Sequence, residues 1–80
     1  MKTAIEVTLR TSTNNEILIC KDIINFPGGL GLYPKNLEDI DKFEKLGYYV
    51  MRTNTVIQSV FIENKKMDLM VGKRTIFIND

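Results

Sequence analysis

Apolar and polar residues alternate along the first segment of the chain, residues 4–10. Ile5, Val7 and Leu9 fall on one side of an extended strand, and the polar residues between them fall on the other. This period of two predicts a half-buried strand of an antiparallel sheet. A polar turn follows, and the largely apolar run at 16–24 predicts a second, central strand that pairs with the first as a hairpin.

The alternation stops at residues 25–34, which contain both prolines and three of the five glycines. Proline donates no hydrogen bond to a sheet ladder, and glycine accepts backbone conformations that turn the chain. We therefore predict that the second strand ends here and that residues 27–34 form a loop. The glycines lack the spacing of a phosphate-binding loop and its flanking βαβ unit, so the sequence favours a simple turn over anion binding.

Helical spacing of apolar residues is clearest at residues 36–46, and this segment predicts the one helix of the fold. Asn36 is a suitable N-cap, and Gly47 is a suitable terminator. An isolated helix of about three turns is unstable in water, so it must pack on the sheet. Its apolar face would consist of Leu37, Ile40, Phe43 and Leu46.

Short apolar segments separated by polar turns fill the rest of the chain. They predict strands at 48–53, 55–62 and 75–79, a strand or irregular segment at 67–71, and turns at Asn54, 63–66 and 72–74. The order ββ-α-ββ(ββ) predicts a single α+β domain over residues 1–80, with about five or six antiparallel strands and one short helix. The sheet is either open or curled towards a barrel, and we favour the open sheet.

The composition argues against several kinds of catalytic and metal chemistry. The chain has no histidine, which removes Ser-His and Cys-His nucleophilic pairs and imidazole ligands. The single cysteine, Cys20, lies in an apolar run and is interpreted as a buried thiol rather than a reactive one. The acidic residues at 38, 39, 41 and 44 are interpreted as a solvated helix face. We therefore expect no enzyme, no metal and no cofactor.

The charge and the distribution of apolar residues bear on location. The formal net charge of +1 by itself indicates neither a nucleic-acid nor a membrane partner. No apolar run approaches the roughly 18 residues of a membrane span, and no signal-type segment precedes the first strand. A lone cysteine fits a reducing compartment. We expect a cytoplasmic protein, without a membrane partner, from a bacterium or a virus that infects bacteria.

The first functional hypothesis is a protein-binding surface centred on the predicted loop at 27–34. Loops are usually exposed, and apolar residues held on one would form an adhesive patch. Tyrosine and arginine are favoured at interfaces because they combine apolar area with a directed polar end. The predicted contact residues are Leu30, Leu32 and Tyr33, with Tyr48, Tyr49 and Arg52 nearby in the sequence. The protein would then be a small non-catalytic regulator, inhibitor or adaptor.

The alternative hypothesis is a small nucleic-acid-binding domain. Sheet aromatics surrounded by positive charge are typical of domains that bind single strands. Its contact residues would be Arg52, Lys65, Lys66, Lys73 and Arg74, which lie on predicted turns and strand ends. A separate expectation concerns the apolar segment 75–79, which is an internal strand, an edge strand covered by a partner, or the seam of a homodimer formed by strand pairing.

Overall fold

Six antiparallel strands form one sheet in the computed structural model, which describes residues 1–53 and 56–79. The strands are β1 (Lys2–Arg10), β2 (Asn15–Phe26), β3 (Gly29–Pro34), β4 (Tyr49–Thr53), β5 (Val56–Glu63) and β6 (Met70–Ile78). They lie in the order β4-β5-β3-β2-β1-β6, so β4 and β6 are the two edges. One helix, α1 (Asp39–Lys45), and one 3₁₀ helix (Asn64–Leu69) complete the fold. The small α+β fold class is confirmed.

The hairpin of β1 and β2 forms as the alternation predicts. Ile5 pairs with Cys20 and Val7 with Leu18, which places these apolar side chains on one face of the sheet. β2 has β1 on one side and β3 on the other, so its predicted central position is confirmed. The predicted turn at Asn54 and the predicted start of a strand at Thr55 lie outside the described residues.

The predicted loop at 27–34 is wrong, because most of this segment is strand β3. β3 pairs with β2 on one side and with β5 on the other. Only Pro27 and Gly28 form the turn between β2 and β3. The two prolines flank the strand instead of interrupting it, since Pro27 lies in the turn and Pro34 is its last residue. Both positions are compatible with a missing N–H donor.

The helix is shorter at its start than the sequence indicates. Residues 36–38 form a turn in which the carbonyl of Asn36 accepts a hydrogen bond from the N–H of Asp39 (3.2 Å). Asn36 is therefore not the N-cap, which is Glu38. The predicted end is confirmed at Gly47, whose φ of 96° is one that glycine adopts readily.

The helix contributes two side chains to the core. Ile40 and Phe43 are fully buried, whereas the other two predicted face residues, Leu37 and Leu46, are exposed. Seven residues give too little intrinsic stability for a helix alone, so α1 depends on this packing. The predicted apolar face is thus confirmed at its centre and wrong at both ends.

The C-terminal part of the chain forms one long strand instead of two short segments. β6 runs from Met70 to Ile78 and pairs with β1 along its length. The predicted turn at 72–74 is wrong, because Gly72 pairs with Thr8 and Arg74 with Glu6 inside the ladder. The charged turn predicted at 63–66 is replaced by the end of β5 and the start of the 3₁₀ helix.

The sheet is open but strongly curled around its core. The hydroxyl of Tyr48 donates a hydrogen bond to the carbonyl of Arg10, which joins the start of β4 to the end of β1. Four strand spacings of about 4.8 Å separate β4 from β1 within the sheet, farther than a tyrosine side chain reaches, so the sheet must bend. The buried core on its inner face consists of Val7, Leu9, Leu18, Cys20, Leu30, Leu32, Ile40, Phe43, Tyr48, Val50, Val60 and Ile62.

Candidate functional site

The face of the sheet that points away from the core, called the outer face below, carries a row of large side chains. Tyr49 of β4 pairs with Phe61 of β5, Phe61 pairs with Gly31 of β3, and Gly31 pairs with Ile24 of β2. Residues that pair directly across an antiparallel ladder lie on the same face. The row therefore crosses four neighbouring strands, with a bare backbone position at Gly31.

Aromatic side chains cover that bare position. A Cβ atom at Gly31 would lie 2.9 Å from Cε2 of Phe26 and 3.3 Å from Cε2 of Tyr33. The ring of Phe26 also approaches that of Phe61, with centroids 6.3 Å apart and a tilt of 56°. Met51 lies two residues beyond Tyr49 on the same strand face. We call Ile24, Phe26, Tyr33, Tyr49, Met51 and Phe61 together the outer cluster.

The outer cluster is open to solvent. Tyr49 is 60% exposed, Phe26 44%, Met51 43% and Ile24 39%, while Tyr33 and Phe61 are half-buried beneath their neighbours. The solvent face of an antiparallel sheet is normally polar, and isolated exposed apolar side chains are common. A contiguous aromatic patch is different, because such patches mark interaction sites.

A bulge in β2 brings two of these residues to the outer face. Cys20 pairs with Pro34 and Asp22 pairs with Tyr33, so Lys21 is an extra residue in β2. Before the bulge the even-numbered residues of β2 face the core, and after it the odd-numbered ones do. One inserted residue inverts which side chains point outwards. Ile24 and Phe26 therefore point to solvent, although simple alternation from Cys20 would place them inside.

The residues predicted to bind a partner are divided between the two faces. Leu30 and Leu32 lie in the core between β2 and β5, so the prediction that they form an exposed loop surface is wrong. Tyr33 and Tyr49 both belong to the outer cluster. Tyr48 is buried in the core, where its ring makes an edge contact with Phe43 at a centroid distance of 5.8 Å.

The basic residues of the alternative hypothesis lie on three different elements. Arg52 lies on β4 and bonds the carboxylate of Glu44 at 2.6 Å. Lys65 and Lys66 lie on the 3₁₀ helix, and Lys73 and Arg74 lie on β6, the opposite edge from β4. Lys65 pairs with Glu63 at 3.4 Å and Arg74 with Glu6 at 2.9 Å. Carboxylates thus accompany three of the five cations.

Four residues of the outer cluster were not among the sequence-based contact residues: Ile24, Phe26, Met51 and Phe61. The available signal was that the second and fourth predicted strands are apolar on both sides. That signal indicates either a sheet covered on both faces or a sheet with one exposed apolar face. The sequence pattern alone does not distinguish between these two arrangements. Ile40 and Phe43 of α1 pack in the core, so the helix covers the inner face.

Two observations concern the reactive and metal-binding side chains of the described residues. Burial raises the pKa of the Cys20 thiol to about 12, which keeps the thiol protonated at neutral pH. No three Asp, Glu or Cys side chains are grouped to hold a metal ion within residues 1–53 and 56–79. In the same part of the chain, no helix has the length and hydropathy that crossing a bilayer requires.

Comparison with known proteins gives no relative from which a role could be transferred. No protein-family model, no curated protein and no solved structure matches this chain significantly.

Proposed function

We propose that this protein is a small, non-catalytic protein-binding module of the cytoplasm that regulates, inhibits or adapts its partner by covering part of the partner's surface. The observation that supports this proposal most directly is the exposed outer cluster. Aromatic residues and methionine are enriched where proteins meet, and their burial against a partner contributes most of the binding energy. Tyr49 and Phe26 are the two largest exposed side chains of the cluster and its expected anchors.

The charges around the cluster indicate the chemistry of the partner's surface. Asp22 and Glu63 lie on the outer face, opposite Tyr33 and Gly29 in the ladders. Complementary charge at an interface rim fixes orientation and speeds association. We therefore expect a partner surface with an apolar centre and basic residues at its edge. Glu63 is partly neutralised by Lys65, so Asp22 is the stronger determinant.

The experiment is capture from lysate of the encoding organism with the wild-type protein and three variants. Tyr49→Ser and Phe26→Ser remove exposed anchors of the outer cluster, and Leu37→Ser removes an apolar side chain of similar exposure, 52%, in the turn before α1. We expect the wild type and Leu37→Ser to recover the same protein. Each anchor variant should lose at least about ten-fold in affinity for it, as interface hot spots do.

A parallel capture after nuclease treatment, at low and high salt, distinguishes the nucleic-acid alternative. Binding through phosphate contacts weakens steeply with salt and disappears with the nucleic acid. Recovery of nucleic acid alone, abolished by nuclease and insensitive to Tyr49→Ser, would overturn the proposal. So would a protein partner that binds the anchor variants as tightly as it binds the wild type.

A further inference from the structure

A cavity of about 260 Å³ lies where the curled sheet brings its two ends together. Four segments surround it: the turn after β1, the connection from α1 to β4, the end of β5 and the 3₁₀ helix. The residues that matter here are Arg10, Thr11, Leu46, Tyr48, Lys66 and Leu69. We call this space the seam cavity, because the hydrogen bond from Tyr48 to the carbonyl of Arg10 closes the gap between β4 and β1 beside it.

The walls of the seam cavity are suited to a small apolar group. Leu46 and Leu69 line it together with the ring of Tyr48. A dry cavity of about 150 Å³ lined by apolar side chains accepts benzene. The seam cavity is larger and open on one side, so an aromatic ring with a short polar substituent fits its volume.

The charge around the cavity is positive. Arg10 and Lys66 both line it, and within the described residues neither makes an ion pair. Among the described residues of the lining Glu63 is the only acidic one, and it already pairs with Lys65. Arg10 also influences Tyr48 in the cavity wall. Burial raises the pKa of Tyr48 above its usual value, and the positive charge of Arg10 partly offsets this rise. The guanidinium is thus close enough to influence groups inside the cavity.

We propose that the seam cavity binds a small apolar carboxylate. Its hydrocarbon part would lie against Leu46 and Leu69, and its carboxylate would be held by Arg10 and Lys66. A carboxylate satisfies two cations that have no acidic partner among residues 1–53 and 56–79, and arginine binds it with two parallel hydrogen bonds. Tyr49 and Phe61 of the outer cluster also line the cavity. The two cations lie outside that cluster, and the inference does not require the proposed protein-binding function.

Two probe compounds of equal shape test the role of charge. Phenylacetate carries an aromatic ring and a carboxylate, and phenylacetamide replaces the carboxylate by a neutral amide. Titration of the full chain, followed by the shifts of backbone amide signals, should map phenylacetate to Thr11, Gly47 and Lys66, which line the cavity. We expect phenylacetate to bind about two- to five-fold more tightly than phenylacetamide, as expected for a partly exposed ion pair.

Substitutions of single cations show which of them causes the preference for phenylacetate. Arg10→Gln and Lys66→Gln should each reduce the preference for phenylacetate, while Lys73→Gln, the same charge change on β6 away from the cavity, should leave it unchanged. Arg10→Gln keeps the backbone carbonyl that Tyr48 bonds, so the fold should persist. Equal binding of the two probes, shifts that map elsewhere, an unchanged preference in both cavity variants, or no saturable binding of either probe would each overturn the proposal.

Discussion

At the scale of single residues, the two glycines of strand β3 lack a side chain for different structural reasons. A Cβ at Gly29 would lie 2.2 Å from the carbonyl oxygen of Ile62 and 3.0 Å from Cα of Glu63, both backbone atoms. The nearest atoms to a Cβ at Gly31 belong to the rings of Phe26 and Tyr33, which can rotate away. Gly29 therefore permits the close approach of two strands, and Gly31 leaves space for aromatic side chains.

This difference predicts unequal costs for the same substitution. Gly29→Ala should lower the free energy of unfolding by about 2–4 kcal/mol, because the backbone of β5 must shift. Gly31→Ala should change it by less than about 1 kcal/mol, since only the rings of Phe26 and Tyr33 must move and the unfolded chain loses entropy. Urea denaturation followed by circular dichroism measures both values. Equal costs would show that strand spacing does not depend on Gly29.

The raised pKa of Cys20 predicts that the free energy of unfolding decreases at alkaline pH. Its thiol has a pKa of about 12 in the folded protein, against about 8.5 for a free cysteine. Below pH 8.5 both states keep the proton, and above it the unfolded chain loses the proton first. Stability therefore falls between about pH 8.5 and 12, by about 3 kcal/mol at pH 10.5.

The measurement is urea denaturation of the wild type and Cys20→Ala at pH 7.5 and 10.5. The variant should lose most of the pH dependence, leaving the smaller contribution of Tyr48, whose pKa burial also raises. The thiol should also resist a thiol-specific reagent at pH 8 until urea unfolds the protein. Rapid labelling of the native protein, or an identical pH slope in Cys20→Ala, would contradict the assignment.

At the scale of elements, the local sequence pattern predicts those strands that pair in a regular register with a neighbour close in the chain. β1 and β2 were visible because alternation and a polar turn agree. β3 was missed because its glycines and prolines are typical of loops. Their actual roles, a close approach to β5 and the two ends of a strand, involve residues about 30 positions away in the chain. No local window contains that information.

Register shifts in the sheet explain why the sequence did not predict which side chains face outwards or that β6 is one continuous strand. β1 and β6 change register between Thr8 and Leu9, where Val71 is the extra residue, and β2 and β3 change it at Lys21. Each shift reverses the relation between residue number and sheet face. The glycine and two cations at 72–74 resembled a turn, although they continue the ladder with β1. Sequence periodicity assumes a constant register, so it fails at such positions.

At the scale of the whole molecule, the candidate surface could be predicted only in part. Tyr33 and Tyr49 were selected as aromatic residues suited to an interface, and both lie in the outer cluster. The sequence predicts Leu30 and Leu32 as contacts because the glycines and prolines of β3 indicate a loop, whereas the structure places both side chains in the core. Which face of a sheet is covered depends on where the helix packs, a long-range property that composition does not contain.

The open edges of the sheet lead to the last prediction, self-association through β6. β6 has nine residues, whereas the other edge, β4, has five. An uncovered edge strand can pair with a copy of itself, and central cations oppose this. Full-length antiparallel pairing would place Arg74 directly opposite the partner's Arg74, and each Lys73 diagonal to the partner's Lys73, about 7–8 Å away. Arg74 is already neutralised in part by Glu6.

We therefore expect a weak, reversible dimer that becomes stronger as salt screens Lys73. Sedimentation at about 0.05 M and 0.5 M salt should show more dimer at the higher concentration. Lys73→Thr should strengthen the dimer and remove most of its salt dependence. Lys21→Thr, the same change on the interior strand β2, should behave as the wild type does. A monomer under every condition, including Lys73→Thr, would mean that β6 does not pair with its copy, and association that weakens with salt would indicate charge attraction through another surface.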